Sequence, residues 1–262
     1  MTAASVGDNC VDRYVDIGLQ LVGGNALNVA VGLAAAGIDS HYLGAVGRDA
    51  DGDMVLDGAR SAGVDVSHVH RLPMPTGVTL VRLGADGDRA FLEERYGASA
   101  AYQPTDADIA FLRSCSWVHC ANLAGVGVVI ERLDGVRASF DFADDPDPQS
   151  LAAIAPHLAL AFFSGASLGR DEAAALARRA IDAGADEAIV TRGREGSVGV
   201  NSRVAEVAAD PVDVVDTLGA GDALIAGVIA ARLQGLDLDD ALAAGSAAAA
   251  RACTHHGAWE QT

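Results

Sequence analysis

VVDTLGAGDALIAGV, residues 214–228, places a carboxylate, Asp222, at the mouth of a long apolar segment and behind a loop stripped of side chains. Residues 213–215 read as the end of a strand, and DALIAGVIAARLQG (222–235) reads as a helix, with Gly219, Ala220 and Gly221 as the bare link between them. The first N–H groups of a helix have no partner within it, and the macrodipole adds positive charge at the same end. Together they make an anion site suited to a phosphoryl group. Asp222, in the first turn, repels a phosphate but can take a proton from a hydroxyl that attacks one. The dipole is expected to hold its pKa low. Phosphoryl transfer tolerates a weak base, because positioning and charge stabilisation carry most of the rate. A second reading stays open on these residues alone, since Asp is a favoured helix cap worth about 1 kcal/mol.

Outward from that stretch, short apolar runs alternate with longer Ala/Leu-rich ones. SHYLGAVG (40–47), CSWVHCANL (115–123), VRASFDFA (136–143), LALAFFS (158–164) and EAIVTRG (187–193) read as strands. NALNVAVGLAAAG (25–37), DGDMVLDGARSAG (51–63) and DEAAALARRAIDAG (171–184) read as helices, each stopped by Gly. This rhythm predicts a mainly parallel sheet with helices on both faces. Residues 12–22 and 76–96 break it and read as strand pairs around turns, with ADGD at 85–88 as a hairpin signal. Two separate inserts of this size build little core of their own, so they are expected to form a small β lid over the end of the parent sheet. No repeat or linker divides the chain, and a single domain over 1–262 is expected.

The formal charge of −18 argues against nucleic acid or an anionic membrane surface as partner. All 18 basic residues are arginine, which excludes Schiff-base chemistry and a Walker-type phosphate lysine. MTAASVGDNCVDRY at the start has neither basic residues followed by an apolar run nor any other secretory pattern. The greasiest stretch, LAAIAPHLALAFF (151–163), is too short to span a membrane. Cys10, Cys115, Cys120 and Cys253 show no CxxC spacing, so reduced thiols in a cytoplasm are expected. His255 and His256 are adjacent, which suits no usual zinc spacing.

DTLGAGD (216–222) resembles the DTxGAGD signature of the ribokinase/PfkB carbohydrate kinases. GGNALNVAVGLAAAG (23–37) resembles that family's N-terminal Gly-Gly…Asn element, and GAVGRDADGDMVLDGARSAGVDVSHV (44–69) its GxVGxDxxG stretch. TRGREGSV (191–198) resembles its TxGxxG, and HHGA (255–258) its closing Gly-Ala. The order holds from about residue 6 to 260, nearly the whole chain. The resemblance implies a doubly wound α/β fold of ribokinase type with a β lid, acting on a sugar and ATP with Mg2+. It implies a general base at Asp222, an anion hole at Gly219, Ala220 and Gly221, and a sugar-gripping acid at Asp12. Gly24, Asn25 and Asn28 fall on the substrate side. Thr191, Gly193, Gly196 and Gly257 fall on the nucleotide side, with 245–257 flanking the adenine. Asp216 matches a position that helps bind K+ in cation-activated members, and some members dimerise through the lid, so a homodimer is an open expectation.

One departure stands out. The family carries an Asn-x-x-Glu that organises magnesium after the strand at 158–164, whereas this chain reads SGASLGRDEA, with Ser164 in place of Asn and Glu172 too far along. Asp141 and Asp144 are alternative candidates, or simply a solvated acidic loop. Within the family, GDNCVD (7–12), FDFAD (140–144), PHLALAF (156–162) and HHGAW (255–259) are most similar to the fructoselysine 6-kinase subfamily. That likeness implies an Amadori-type fructosamine phosphorylated at the 6-hydroxyl, with fructose, ribose or another furanose, or a turnover-incompetent sugar-binding regulator, as alternatives. Selectivity is expected from lid residues such as Arg82, Arg89, Glu93 and Arg95 in the second insert, where Glu93 and Glu94 either meet the substrate's cationic end or sit on a solvated strand face.

Overall fold

A computed structural model describes residues 1–84, 89–121, 126–144 and 147–261. The ADGD hairpin signal and the last two residues of CSWVHCANL, Asn122 and Leu123, lie outside them. In chain order the elements are β1 (Thr2–Val6), β2 (Cys10–Tyr14), β3 (Leu19–Gly23), α1 (Asn25–Ala35), β4 (Asp39–Leu43), β5 (Ala45–Gly47), α2 (Ala50–Ser61), β6 (His70–Leu72), β7 (Val78–Leu83) and β8 (Arg89–Arg95). There follow α3 (Asp106–Leu112), β9 (Trp117–Ala121), α4 (Gly127–Glu131), β10 (Ala138–Asp141), α5 (Pro148–Ile154), β11 (Leu160–Ser164) and α6 (Arg170–Asp182). The chain closes on β12 (Ala188–Thr191), β13 (Ser197–Val200), β14 (Val204–Val207), α7 (Ala220–Leu233) and α8 (Leu238–Ala252).

Eight strands form the main sheet in the order β14-β13-β12-β11-β10-β9-β1-β4. It is parallel from β12 to β4 and ends in an antiparallel β13–β14 hairpin. Alternate strand residues feed two cores. Val6, Val118 and Phe140 pack toward Leu112, Ile130 and Ala177 of the helices on one face. Trp117, Leu160 and Phe162 pack toward Leu33, Ile225 and Leu242 on the other. The sheet is therefore doubly covered, as the alternating rhythm requires. The two inserts meet as a second sheet, order β3-β2-β7-β8, at the end of the first. Among the described residues, no helix is long and apolar enough to cross a membrane.

Several expectations need correction. SHYLGAVG is not one strand: β4 joins the main sheet, while β5 turns away at Gly44 to pair with β6. Residues 213–215 do not finish a strand, since 208–214 are irregular and the last strand is β14. Their β-branched pattern is real, but Pro211 lacks an N–H and β14 already forms the sheet edge, so these valines stay exposed. β1 is an interior strand, held between β9 and the edge strand β4, and escapes a reading by β-propensity because TAASV is built mostly of small residues.

α8 escapes notice for the same reason, being mostly alanine. It seats against α7 by close backbone approach: a Cβ on Gly245 would stand 2.8 Å from Val228 Cγ2 and 2.9 Å from the Leu224 carbonyl. Gly245→Val overpacks this contact and is expected to cost about 2 kcal/mol, within the range for inserting methyl groups into a packed core. Thermal unfolding should shift down by about 4–8 °C for a chain of this size. An unchanged midpoint would show that the two helices slide apart freely.

Candidate active site

A cleft of about 320 Å³ opens where the helix starts of α1 and α7 meet the ends of β10, β11 and β12 and the inner face of the second sheet. Asp12, Gly24, Asn25, Asn28, Thr191, Gly219, Gly221 and Asp222 all line it. A larger groove, about 610 Å³, runs between α1, α7 and α8, but alanine is its commonest wall residue and, among the described residues, it shares only Asn28 and Gly219 with the cleft.

The geometry of the expected anion hole rests on Gly219. It caps α7 in the left-handed conformation, φ 76°, and a Cβ there would collide with Ala258. The N–H groups of Gly221 and Asp222, in the first turn, have no acceptor within the helix. A Cβ on Gly221 would meet nothing within 4 Å, so the space in front of the helix start is open.

Asp222 sits between two amides. Asn25 Nδ2 donates to its Oδ1 at 3.0 Å, and Asn28 Nδ2 to its Oδ2 at 2.6 Å. Asn25 Nδ2 also donates to Asp141 Oδ2 at 2.7 Å, so one neutral amide separates two carboxylates. The expectation of a depressed pKa fails. Loss of water around Asp222 raises it to about 7, with the Asp141 and Asp8 charges adding to the rise and the Asn28 hydrogen bond and Arg89 opposing it. Burial and like charge outweigh the dipole here. Burial also raises Asp141, whose Oδ1 accepts from the Ala143 amide at 2.9 Å.

Asp12, on β2, is 4% exposed and lies against Gly23, where any side chain would strike its carboxylate. Cys10 Sγ donates to its Oδ1 at 3.2 Å. Burial raises its pKa to about 6, and Asp8 and Asp216 add to the rise. The acceptors Asn25 Oδ1 and Asn28 Oδ1 are buried and unpartnered, which is the state expected of groups awaiting a ligand's hydroxyls. Gly24 has a structural duty: at φ 108° its missing Cβ leaves room for the Asn9 backbone at 2.5 Å.

Asp8 was not singled out by sequence reasoning. It caps α1 from outside, accepting from the amides of Asn25 at 2.9 Å and Ala26 at 3.1 Å. Gly24 has no side chain to do so, and the cap comes from too far along the chain to leave a local signature. Thr79, Phe91 and Tyr96 were likewise missed as cleft-lining residues.

Gly193, Gly196, Gly257, Ala220 and Asp216 do not line the cleft. Gly193 and Gly196 turn the chain between β12 and β13 with φ 57° and 88°. Gly257 packs on Leu21 and donates its amide to Asp216 Oδ2 at 3.0 Å. Glu172 is spent on capping α6, accepting from the Gly169 amide at 2.9 Å, and Asp144 is exposed. Among the described residues, no group of three His, Cys, Asp or Glu could hold a metal ion.

Residues 14–130 and 154–261 match the sequence pattern of the pfkB family of carbohydrate kinases. The chain belongs to that family. This carbohydrate kinase is 38% identical to a fructoselysine 6-kinase of Shigella flexneri, over 98% of its own length and 99% of the relative's. It is 33% identical to a fructosamine kinase of Bacillus subtilis, over 99% and 93%. Its ribokinase-like fold superposes on a ribokinase of Arabidopsis thaliana complexed with ribose and ATP, with a TM-score of 0.84 at 21% identity, covering 98% and 93%. The kinase is thus an ATP-dependent sugar kinase.

The second insert separates its candidates sharply. Glu93 pairs with Arg95 on an exposed face, with contacts of 2.6 and 2.7 Å, and Arg82 pairs with Asp16 at 3.5 Å. Arg89, Phe91, Glu94 and Tyr96 line the cleft. The step from 91 to 94 comes from a register shift in the β7–β8 pairing: Val81 faces Phe91 but Leu80 faces Glu93, leaving Leu92 as the extra residue. A bulge of this kind re-aims every side chain beyond it.

Proposed function

We propose that this kinase transfers the terminal phosphoryl group of ATP to the 6-hydroxyl of fructoselysine or a related fructosamine. The observation that supports the substrate class is the charge of the cleft. Among the described residues, Asp8, Asp12, Glu94, Asp141 and Asp222 line it against a single cationic side chain, Arg89. Arg89 in turn donates to the Thr217 carbonyl at 3.1 Å and hydroxyl at 2.9 Å. A fructosamine carries a protonated amine that a plain furanose lacks, and such a cleft favours it. Glu94, re-aimed by the bulge, stands at the exposed mouth, where it meets that amine.

In this reading Asp12 and the free oxygens of Asn25 and Asn28 bind the sugar hydroxyls. Asp222 accepts the proton of the 6-hydroxyl as its oxygen bonds to phosphorus and the bond to the ADP oxygen breaks. The amides at the start of α7 hold the equatorial phosphoryl oxygens, and Asp222 then releases its proton to solvent. Thr191 and the turn at Gly193 and Gly196 border the nucleotide, with Gly257 behind the anion-hole loop. Mg2+ would neutralise charge on the nucleotide phosphates. With Ser164 at the Asn position and Glu172 and Asp141 already hydrogen-bonded, the ion would be held through phosphate oxygens and water, as this hydrated ion commonly is. The four free cysteines fit work in a reducing cytoplasm.

A sugar panel scored by ADP release tests the assignment. Fructoselysine is expected to exceed fructose and ribose in kcat/KM by about tenfold or more, and Glu94→Gln to shrink that preference about 3- to 5-fold, the size of an exposed charge pair worth up to ~1 kcal/mol. Faster turnover of a neutral furanose would overturn the fructosamine assignment. Binding without turnover on every sugar would favour a regulator instead.

A further inference from the structure

Asp216 matches the K+-binding position, yet its surroundings leave a cation no place. It is 0% exposed. Its Oδ1 accepts from the Leu218 amide at 2.9 Å, and its Oδ2 accepts both the Tyr14 hydroxyl at 2.5 Å and the Gly257 amide at 3.0 Å. The nearby Cys253 carbonyl, a candidate neutral ligand, takes the amides of Val215 at 2.8 Å and Asp216 at 3.4 Å. Burying a carboxylate is costly unless it is paired or hydrogen-bonded, and here three protein donors do that work.

Tyr14 reaches Asp216 because β2 alternates. Cys10 and Asp12 turn into the cleft, and Tyr14, two residues on, projects from the same face toward the loop before α7. Its ring is buried with Leu21, Val81 and Leu218, so it is fixed by packing from three segments. Burial, followed by the hydrogen bond to Asp216 and that group's charge, raises the phenol pKa far above its ordinary range, so Tyr14 donates at every working pH.

We infer that Tyr14 replaces a monovalent cation in this kinase: its hydroxyl, with the amides of Leu218 and Gly257, orients Asp216, fixes the anion-hole loop 216–221, and ties that loop to the sheet that carries Asp12. Tyr14 is a positioning residue, remote from the reacting atoms. The inference rests on the kinase reading for its rate measurement but not for its structural one.

Turnover in KCl and in tetramethylammonium chloride at equal ionic strength is expected to agree within about 1.5-fold, and Tyr14→Phe to lower kcat about tenfold, the loss of one charge-assisted hydrogen bond. Removing the hydroxyl opens space beside Asp216, so the variant should gain a K+ response of about threefold or more that the parent lacks. A parent stimulated more than threefold by K+ overturns the inference. So does a Tyr14→Phe protein that retains full kcat with no cation response. Thermal unfolding of the parent in the two salts needs no substrate and no variant. Equal midpoints support the inference, and a midpoint several degrees higher in KCl overturns it. A protein that turns over no sugar but melts identically in both salts would refute the kinase substrate reading alone.

Discussion

Asp222→Asn should lower kcat by about 10²–10⁴-fold while leaving the fold intact, the range for loss of a positioned general base. Asn keeps the shape of the side chain and can still accept from Asn25 or Asn28, so the helix start is preserved, but it cannot take the hydroxyl's proton. The pH profile checks the same role without a mutation. With the Asp222 pKa raised to about 7, the base is protonated on the acid side, so kcat/KM should level off above that point, fall about tenfold per unit just below it, and fall more steeply below about pH 6, where Asp12 also loses its charge. A profile flat down to pH 5 would remove Asp222 from the role. Stability should move the opposite way. A carboxylate whose folded pKa lies above its unfolded value of 3.8 binds more protons when folded between those two points. Its presence therefore destabilises the protein increasingly as pH rises through that window, and Asp222→Asn should melt at a higher temperature than the parent near pH 8.

The contrast between role and pKa shows where the sequence runs out. Asp222, Gly219 and Gly221 before it and the asparagines of α1 are local to two motifs, and the structure brings them into one cleft. The dipole at the start of α7 is also local, and a depressed pKa follows from it alone. Burial reverses the sign, and the charges of Asp141 and Asp8 add to it; that burial and those two carboxylates, from β10 and from the turn after β1, exist only in the assembled cleft.

The same distinction explains the other differences. Period-two alternation along β8 would put Arg89, Phe91, Glu93 and Arg95 on one face, and a single extra residue at Leu92 turns Glu94 inward instead. Asp216 reads as a cation ligand from its motif, while the Tyr14 hydroxyl that occupies it comes from the far end of the chain. The doubly covered sheet was legible because burial on both faces forces apolar runs. Its interior strand β1 was not, because Ala3, Ala4 and Ser5 owe their burial to their neighbours. Asp8 is the clearest omission, a cap supplied across the β2–β3 hairpin to a helix whose own cap position is glycine.

Asp12→Asn separates substrate binding from stability most cleanly. In the proposed reading Asp12 offers the sugar a buried, charged acceptor, and hydrogen bonds to charged groups contribute about 1.5–3 kcal/mol each, so losing the charge from a two-hydroxyl grip should cut kcat/KM for the sugar about 10²-fold. KM for ATP should stay near the parent's, because the anion hole and its loop are untouched. The folded protein meanwhile becomes more stable. The Asp12 pKa is raised from 3.8 to about 6, chiefly by burial, so the folded state carries a cost that is absent below pH 4, grows through pH 6 and is complete above it. At 1.36 kcal/mol per unit that cost is about 3 kcal/mol, and the neutral Asn avoids it while keeping an acceptor for the Cys10 thiol. The variant's melting temperature should therefore match the parent's at pH 4 and exceed it at pH 7.5. Loss of activity with a lower melting temperature at pH 7.5 would mean that Asp12 holds the second sheet together, and its place as the sugar-gripping acid would have to be given up.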